Sequence, residues 1–385
     1  MEGDPVLKAW PVLAIVVIQA ILFLAHWFVY STFIASFSPG PPPVAASDLR
    51  IAALILAFSF VVASLLSFRY SNPAVRGIYW AAAVWLGFLN FFFWGSIVIR
   101  LTWLAIKFSH LAVNPDAFRS PLAGVIYEFA ALTGVYGLIN ARIIRVRRVA
   151  VHIPDLPQAW HGRKGVLLSD LHLGPINGVR FCRRLVALVS SFHPHVVFLP
   201  GDLFDGTKGD LDRLLSPFQS LSPPLGIYFS TGNHEEFTSP AHYIEAIRRV
   251  GIRVLANEQV VIDGLRIAGV LYHDSSSPLH MKAALSRMRP NDPESERTQP
   301  GILLNHAPTR LPIVEQAGFS LQLSGHTHGG QFVPYTWITR RIYGRFTRGL
   351  HRFGSLQVYT STGAGTWGPP MRVGTRPEIV LLEFI

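Results

Sequence analysis

The sequence predicts two parts: an all-α transmembrane bundle, then an α/β domain. Three observations carry this. Apolar runs of bilayer-crossing length recur before residue 142, short apolar strands alternate with helices and turns after residue 148, and chemically active side chains gather where those strands end. The 385 residues leave room for both parts. Charged residues make up only 15% of the chain, well below an ordinary soluble domain, and the apolar excess lies in the first part.

The apolar segments run from about Trp10 to Ala35, Ile51 to Phe68, Ile78 to Val98 and Leu122 to Ile139. Each approaches or exceeds the ~20 residues a helix needs to cross the hydrocarbon core, so residues 1–142 are expected to form four membrane helices. Trp10, Trp27, Tyr30, Tyr79 and Trp80 lie near segment ends, where interfacial aromatics belong. The first segment is too long for a signal peptide and lacks a small-residue cleavage site. Leu101 to Val113 reads either as an interfacial helix or as an extension of the third span. His26, Asn90 and Glu128 fall at membrane depth and should face the bundle interior, most simply as packing hydrogen bonds.

Lys8, Arg69, Arg76, Arg142, Arg145, Arg147 and Arg148 fall on the side of the C-terminal domain. Arg50, Arg100, Lys107 and Arg119 fall on the other. The asymmetry places the domain in the cytoplasm of an integral, multi-pass membrane protein. Residues 143–148 read as a basic linker, and 149–385 as the α/β domain. There, Val149–Ile153, Gly165–Ser169, His195–Leu199, Ile227–Thr231, Arg266–Val270, Gly301–Asn305 and Leu321–Ser324 read as strands, and Arg180–Phe192 as a helix. Residues 291–300 read as an exposed polar loop. The single cysteine, Cys182, excludes an intrachain disulfide framework.

Metal-grade side chains occupy five blocks: Asp170 and His172 in Ser169–Gly174, Asp202 after Gly201, Asn233 in Gly-Asn-His-Glu, His306, then His326 and His328 in Gly-His-Thr-His-Gly-Gly. All but the first begin at or just after a predicted strand end, and the first begins at one. Two divalent cations about 3.5–4 Å apart can clamp phosphoryl oxygens and lower the pKa of a shared water. Such a pair needs one bridging carboxylate, which Asp202 suits, with flanking ligands for each ion. Asp170 and His172 lie two apart, so on an extended segment they project to one side; His326 and His328 repeat the spacing. Asn233 adds a neutral oxygen. Each block alone is a weak motif; the ordered set is not.

This array resembles the calcineurin-like metallophosphoesterases, and the wording around Ser169–Gly174, Ser324–Gln331 and Arg376–Ile379 looks most like their bacterial phosphodiesterase branch. The resemblance covers about 149–385 and not the spans. It implies a two-sheet sandwich flanked by helices, with two divalent metal ions (Mn2+, Fe or Zn2+) at the loop ends. One ion would take Asp170, His172, Asp202 and His328; the other would take Asp202, Asn233, His306 and His326. His234 would act as proton donor to the leaving group. Asp205 and Asn305 read as orienting partners, while His273 and Asp274 have no assigned role. Similar motifs occur in UDP-diacylglucosamine hydrolases.

Arg340, Arg345 and Arg348, in an Arg-rich stretch interleaved with Tyr343, Phe346 and Phe353, read as a diphosphate- or phospholipid-binding set, as a membrane contact, or as a solvated loop. The formal charge of +11 is explained mostly by Arg-flanked spans and this stretch. With no helix-turn-helix or RNA-binding signature, nucleic acid is not the expected partner. The expected function is a membrane-anchored phosphodiesterase or pyrophosphatase acting on a lipid-linked or nucleotide-sugar-lipid substrate. The alternative is a non-catalytic membrane scaffold or sensor on the same fold, which the complete ligand set disfavours; a transporter with an accessory hydrolase domain lacks the expected repeats.

Overall fold

The computed structural model describes residues 5–38, 44–109, 114–237, 240–288 and 299–385. It forms two compact units, Met1–Leu138 with Gly368–Met371, and Ile139–Trp367 with Arg372–Ile385.

The first unit contains helices α1 (Pro5–Phe37), α2 (Val44–Arg69), α3 (Pro73–Ser109) and all but the last two residues of α4 (Arg119–Asn140). All four are long and apolar enough to cross a membrane. Asn72 accepts from the Val75 amide at 2.9 Å, and Pro73 follows it, which fixes the start of α3. The third helix runs unbroken to Ser109, so 101–109 extends that helix, while 110–113 lie outside the described residues. His26 is a packing residue: its Nδ1 lies 2.7 Å from Leu22 O and its Nε2 accepts from Trp85 Nε1 at 2.8 Å. Arg100, expected near a membrane face, donates to Thr32 and Ser31 hydroxyls on α1. Glu128 departs from expectation. It is exposed on α4 and not turned inward, because the buried stripe of that helix runs through Ala123 and Ala130.

The second unit holds two six-stranded sheets. The strands are β1 (Arg145–Val151), β2 (Lys164–Leu167), β3 (Val196–Pro200), β4 (Ile227–Ser230), β5 (Arg253–Val254) and β6 (Glu258–Ile262). They continue with β7 (Leu265–Gly269), β8 (Gly301–Leu304), β9 (Leu321–Ser324), β10 (Gly349–Phe353), β11 (Leu356–Thr360) and β12 (Glu378–Phe384). The orders are β1-β12-β2-β3-β4-β5 and β10-β11-β9-β8-β7-β6. In the first sheet β2, β3, β4 and β5 run parallel; in the second β7, β8, β9 and β11 do.

The near-continuous apolar strands follow from burial on both faces. Alternate residues sort into different cores, as the two-residue side-chain period requires. Leu167, Phe198 and Leu382 meet Ile302 and Leu323 between the sheets. Val166, Val197 and Leu381 pack outward with Leu185 and Val189 of the helix Val179–Ser190. Ala268, Leu303 and Val358 do the same on the far side with Met281 and Val314. The layers are therefore helix, sheet, sheet, helix.

One boundary is corrected. Arg145–Arg148, expected as linker, are the first half of β1, paired in parallel with Glu378–Leu381 of β12. An edge strand with solvent at its side tolerates arginines, and Arg147 there pairs with Glu378 at 3.2 Å. The expected loop at 291–300 falls mostly outside the described residues.

Candidate metal centre

Parallel strands present their C-terminal ends, and the loops beyond them, along one edge of a sheet. The loops after β2, β3 and β4 carry Asp170, His172, Asp202 and Asn233; those after β8 and β9 carry His306, His326 and His328. The two sheets therefore each contribute half of one buried cluster.

Its distances are short. His306 Nε2 lies 3.1 Å from Asp202 Oδ2, and His172 Nε2 lies 3.8 Å from the same oxygen. His328 Nε2 stands 3.0 Å from His172 Nε2 and 3.5 Å from Asp170 Oδ1. His326 Nδ1 lies 3.0 Å from Asn233 Oδ1. Three groups have the spacing to hold a cation: Asp170 with His172 and His328, Asp202 with His306 and His326, and His172 with Asp205 and His234. Asp202, of the second group, also comes within 3.8 Å of His172 of the first.

The backbone that achieves this differs from expectation. Asp170 and His172 do not converge by alternating along an extended segment. Both have left-handed φ, at 52° and 47°, as do Asp202 at 51°, His326 at 68° and His328 at 48°. Asp and His tolerate this region better than branched residues do, but non-glycine residues there still cost about 1–3 kcal/mol each. Tight turns aim the side chains inward, and surrounding bonds fix them. Asp170 Oδ1 accepts the His326 amide at 2.9 Å, and Asp202 Oδ1 the His234 amide at 3.0 Å. Glycines leave room: a Cβ on Gly325 would collide with Ser169 Oγ and the Asp170 carboxylate, and one on Gly232 with Asp202.

The electrostatics suit a cation. Burial pushes His172 and His328 well below the ordinary histidine range, with the neighbouring His234 adding for His172 and Arg372 for His328. Burial, with His306 adding, brings His326 down to about 4. These rings stay neutral, as metal ligands must. Burial alone would raise Asp202, but His306 and the surrounding imidazoles hold it well below the carboxylate range. Burial would lower His306, yet Asp202 outweighs it and carries it to about 10. That proton is one a cation would replace. Asp170 rises to about 6, mainly by burial. His172 Nδ1 is buried without a hydrogen-bond partner, and His306 Nε2 has the Asp202 carboxylate beside it. Lone pairs aimed at one another, neutral rings and a held carboxylate fit divalent metal.

His234 is buried beside the cluster, its ring 4.6 Å from that of His172. Its Nδ1 lies 3.1 Å from the Asp205 carbonyl, which can only accept, so Nε2 is left to face a ligand. Exposed Phe237 and Trp367 flank it, with ring centroids 4.5 and 6.1 Å away. The Asp205 carboxylate, expected as an orienting partner, comes only to 3.9 Å from His172 Nδ1, beyond hydrogen-bond distance. Asn305 does not orient His306; its amide bonds Thr309 O. Asp274 bonds Asn257, and the His273 amide bonds Glu236, so neither belongs to the cluster.

The three arginines lie outside it. Arg345 covers the Phe346 ring at 5.1 Å, Arg348 donates to Gly374 O at 3.5 Å, and Arg340 is exposed on the helix Tyr335–Tyr343.

Two residues escaped the sequence reading. Glu235 accepts the amides of Gly232 at 2.8 Å and of Asp202 and Phe204 at 3.0 Å, locking two metal loops together. Its signal was present: a Glu three residues after Gly232, at the start of the helix Asn233–Glu236, is a capping-box position. Arg372 is fully buried, donates to His328 O at 2.9 Å and to Gly365 O, and places Nη2 3.1 Å from His328 Nδ1. Nothing in its local sequence announces this.

The model of the calcineurin-like phosphoesterase family matches residues 165–330, the stretch that holds all seven candidate ligands. A transmembrane protein with metallophosphoesterase domain from Danio rerio is 32% identical over 328 residues, covering 77% of this chain and 72% of its own. The chain belongs to the calcineurin-like metallophosphoesterases. A metallophosphoesterase of Aquifex aeolicus is 32% identical over 260 residues, 66% of this chain and 97% of that one. Phosphodiesterase YaeI of Escherichia coli is 28% identical over 242 residues, 58% of this chain and 82% of that one. This metallophosphoesterase is thus a metal-dependent phosphoric ester hydrolase, carrying buried His/Asp groups able to hold metal and helices fit for a membrane.

Proposed function

We propose that this metallophosphoesterase is a membrane-anchored phosphodiesterase or pyrophosphatase that cleaves a lipid-linked phosphate ester at the cytoplasmic face. The observation that carries the hydrolytic reading is the meeting of loops from both sheets on Asp202. Asp170, His172, Asp202 and His328 would hold one divalent ion; Asp202, Asn233, His306 and His326 would hold the second. Mn2+, Fe or Zn2+ suits this donor set. The pair would supply Lewis-acid activation of the phosphoryl group and of water.

The chain's own residues do the rest. Ser169 donates to Asp170 Oδ2 at 2.6 Å, and Glu235 fixes the loop of Asp202, so the carboxylates keep their aim. With Nδ1–H donated to Asp205 O, His234 presents Nε2 to the departing ester oxygen; the imidazolium, protonated at both nitrogens, would donate the Nε2 proton there and return to the neutral ring. Phe237 and Trp367 keep water from one side and offer apolar surface to the substrate.

The membrane assignment is supported by the four apolar helices and by relatives named as transmembrane proteins. Residues 1–142 are proposed as the anchor, and the arginine asymmetry supports a cytoplasmic catalytic domain. A C-terminal alkaline phosphatase fusion that is active would reverse that orientation. An enzyme tethered to a bilayer meets lipid substrates at high local concentration, and the aromatic pair beside His234 suits an apolar leaving portion. Purified full-length protein should hydrolyse bis(p-nitrophenyl) phosphate with Mn2+, and Asp202→Asn should abolish turnover. Activity retained by that variant would overturn the site assignment.

A further inference from the structure

The helix Tyr335–Tyr343 follows the last metal block, and it lacks any buried residue. Trp337 is 69% exposed, Ile342 67%, Ile338 52% and Tyr335 47%. At 3.6 residues per turn these four fall on one side of the helix, within an arc of about 160°. Arg341 lies inside the same arc, between Trp337 and Ile338, and Arg340 lies about 60° outside it. The opposite side carries Thr336, Thr339 and Tyr343, all half-buried.

That inner side is fastened to the metal block. The Thr336 backbone packs so closely on Gly330 that a Cβ there would collide with it. Thr347 Oγ1 lies 3.4 Å from Thr339 O, and Thr327 Oγ1 donates to Thr347 O at 2.7 Å. The Tyr343 ring stands 6.2 Å from that of His326. The helix is therefore held by one side, with a row of large apolar side chains left on the other.

A soluble domain gains nothing from presenting Trp, Ile, Ile and Tyr side by side to water. The same chain carries four helices of membrane-crossing length, so a bilayer is always within reach. Apolar residues on one face, with arginines whose long stems let their charges snorkel from within and beside it, suit a helix lying in the plane of an anionic lipid surface. Arg345 and exposed Arg348 follow directly and extend the positive edge.

We propose that the Tyr335–Tyr343 helix is an interfacial docking element, seating Trp337, Ile338 and Ile342 among acyl chains of an anionic bilayer with Arg340 and Arg341 at the headgroups. The proposal rests on the four helices spanning a membrane, but not on a lipid-linked substrate. It would hold equally for a water-soluble ester.

The full-length protein carrying Ile342→Cys can be spin-labelled at that position, since Cys182 is buried and burial pushes its thiol up to about 12. It is reconstituted into nanodiscs of phosphatidylcholine alone, or of phosphatidylcholine with phosphatidylglycerol. Oxygen and nickel-chelate accessibilities then report depth. The label should become oxygen-accessible and nickel-protected in the anionic discs, more so than in the neutral ones. Adding Ile338→Asp and Trp337→Ala should return it to a water-like ratio. A label at Leu279, 74% exposed on the helix Pro278–Arg287, is the aqueous reference. A position-342 label matching that reference in both lipids overturns the proposal. So does protection accompanied by dipolar broadening, which marks a second copy of the chain as the occupant. Hydrolysis of bis(p-nitrophenyl) phosphate by the Ile338→Asp, Trp337→Ala variant separates failure of docking from failure of the site.

Discussion

Two neighbouring regions of the catalytic domain are built on opposite plans. The metal loops are buried, strained at five left-handed residues, and cross-braced between sheets. The Tyr335–Tyr343 helix, beginning a few residues after His328, is exposed and held along one side only. The first carries buried histidines and carboxylates, the second exposed arginines. The contrast separates two uses of such residues. Groups that act on a reacting centre must be fixed and dry, because each electrostatic contact is stronger there and needs no reorganisation. Groups that meet a surface work while solvated, and gain from number more than from placement.

Variants can break that contrast, and the metal side should respond most. His234→Gln keeps a polar side chain but removes the titrating nitrogen, and should lower kcat by about 10²–10⁴-fold on esters with poor leaving groups. The loss should shrink for p-nitrophenolate, which departs without a proton. An equal loss across leaving groups would assign His234 to phosphoryl binding instead.

Glu235→Gln tests the bracing. One of its oxygens becomes an NH2 facing backbone amides of Gly232, Asp202 or Phe204, so two loops lose their common anchor. Apparent Mn2+ affinity should fall by about 10–100-fold, with turnover largely restored at saturating Mn2+. An unchanged Mn2+ half-saturation would mean the loops hold themselves.

The arginines should matter least. Arg345→Ala with Arg348→Ala removes exposed charges whose individual worth is about 1 kcal/mol or less. KM for an anionic substrate should rise less than tenfold, with kcat unchanged and the effect fading in high salt. A collapse of kcat would place these side chains in the reaction centre and erase the contrast drawn here.

The long apolar helices, the strands and the blocks of metal-grade side chains were legible because each is a local pattern. A run of apolar residues, a short apolar strand before a turn, or an Asp-Leu-His triplet needs no knowledge of distant parts of the chain. The reading failed where local pattern and long-range contact disagree. Arg145–Arg148 look like a linker because four arginine-rich residues resemble no core strand, yet partnering by β12 more than two hundred residues later makes them one. Glu128 looks like an inward-facing membrane carboxylate, but helix rotation is set by packing at Ala123 and Ala130.

The order and chemistry of the donors, the apolar helices and the short apolar strands were determined by the sequence itself, since composition and periodicity act over a few residues. Only the tertiary structure decided that the donors reach one another through left-handed turns, that Glu235 and Arg372 hold them, and that Trp337, Ile338 and Ile342 are left facing outward. The physical reason is that backbone handedness and burial depend on which strands pair and which surfaces remain uncovered, and those are sums over contacts between residues far apart in the chain.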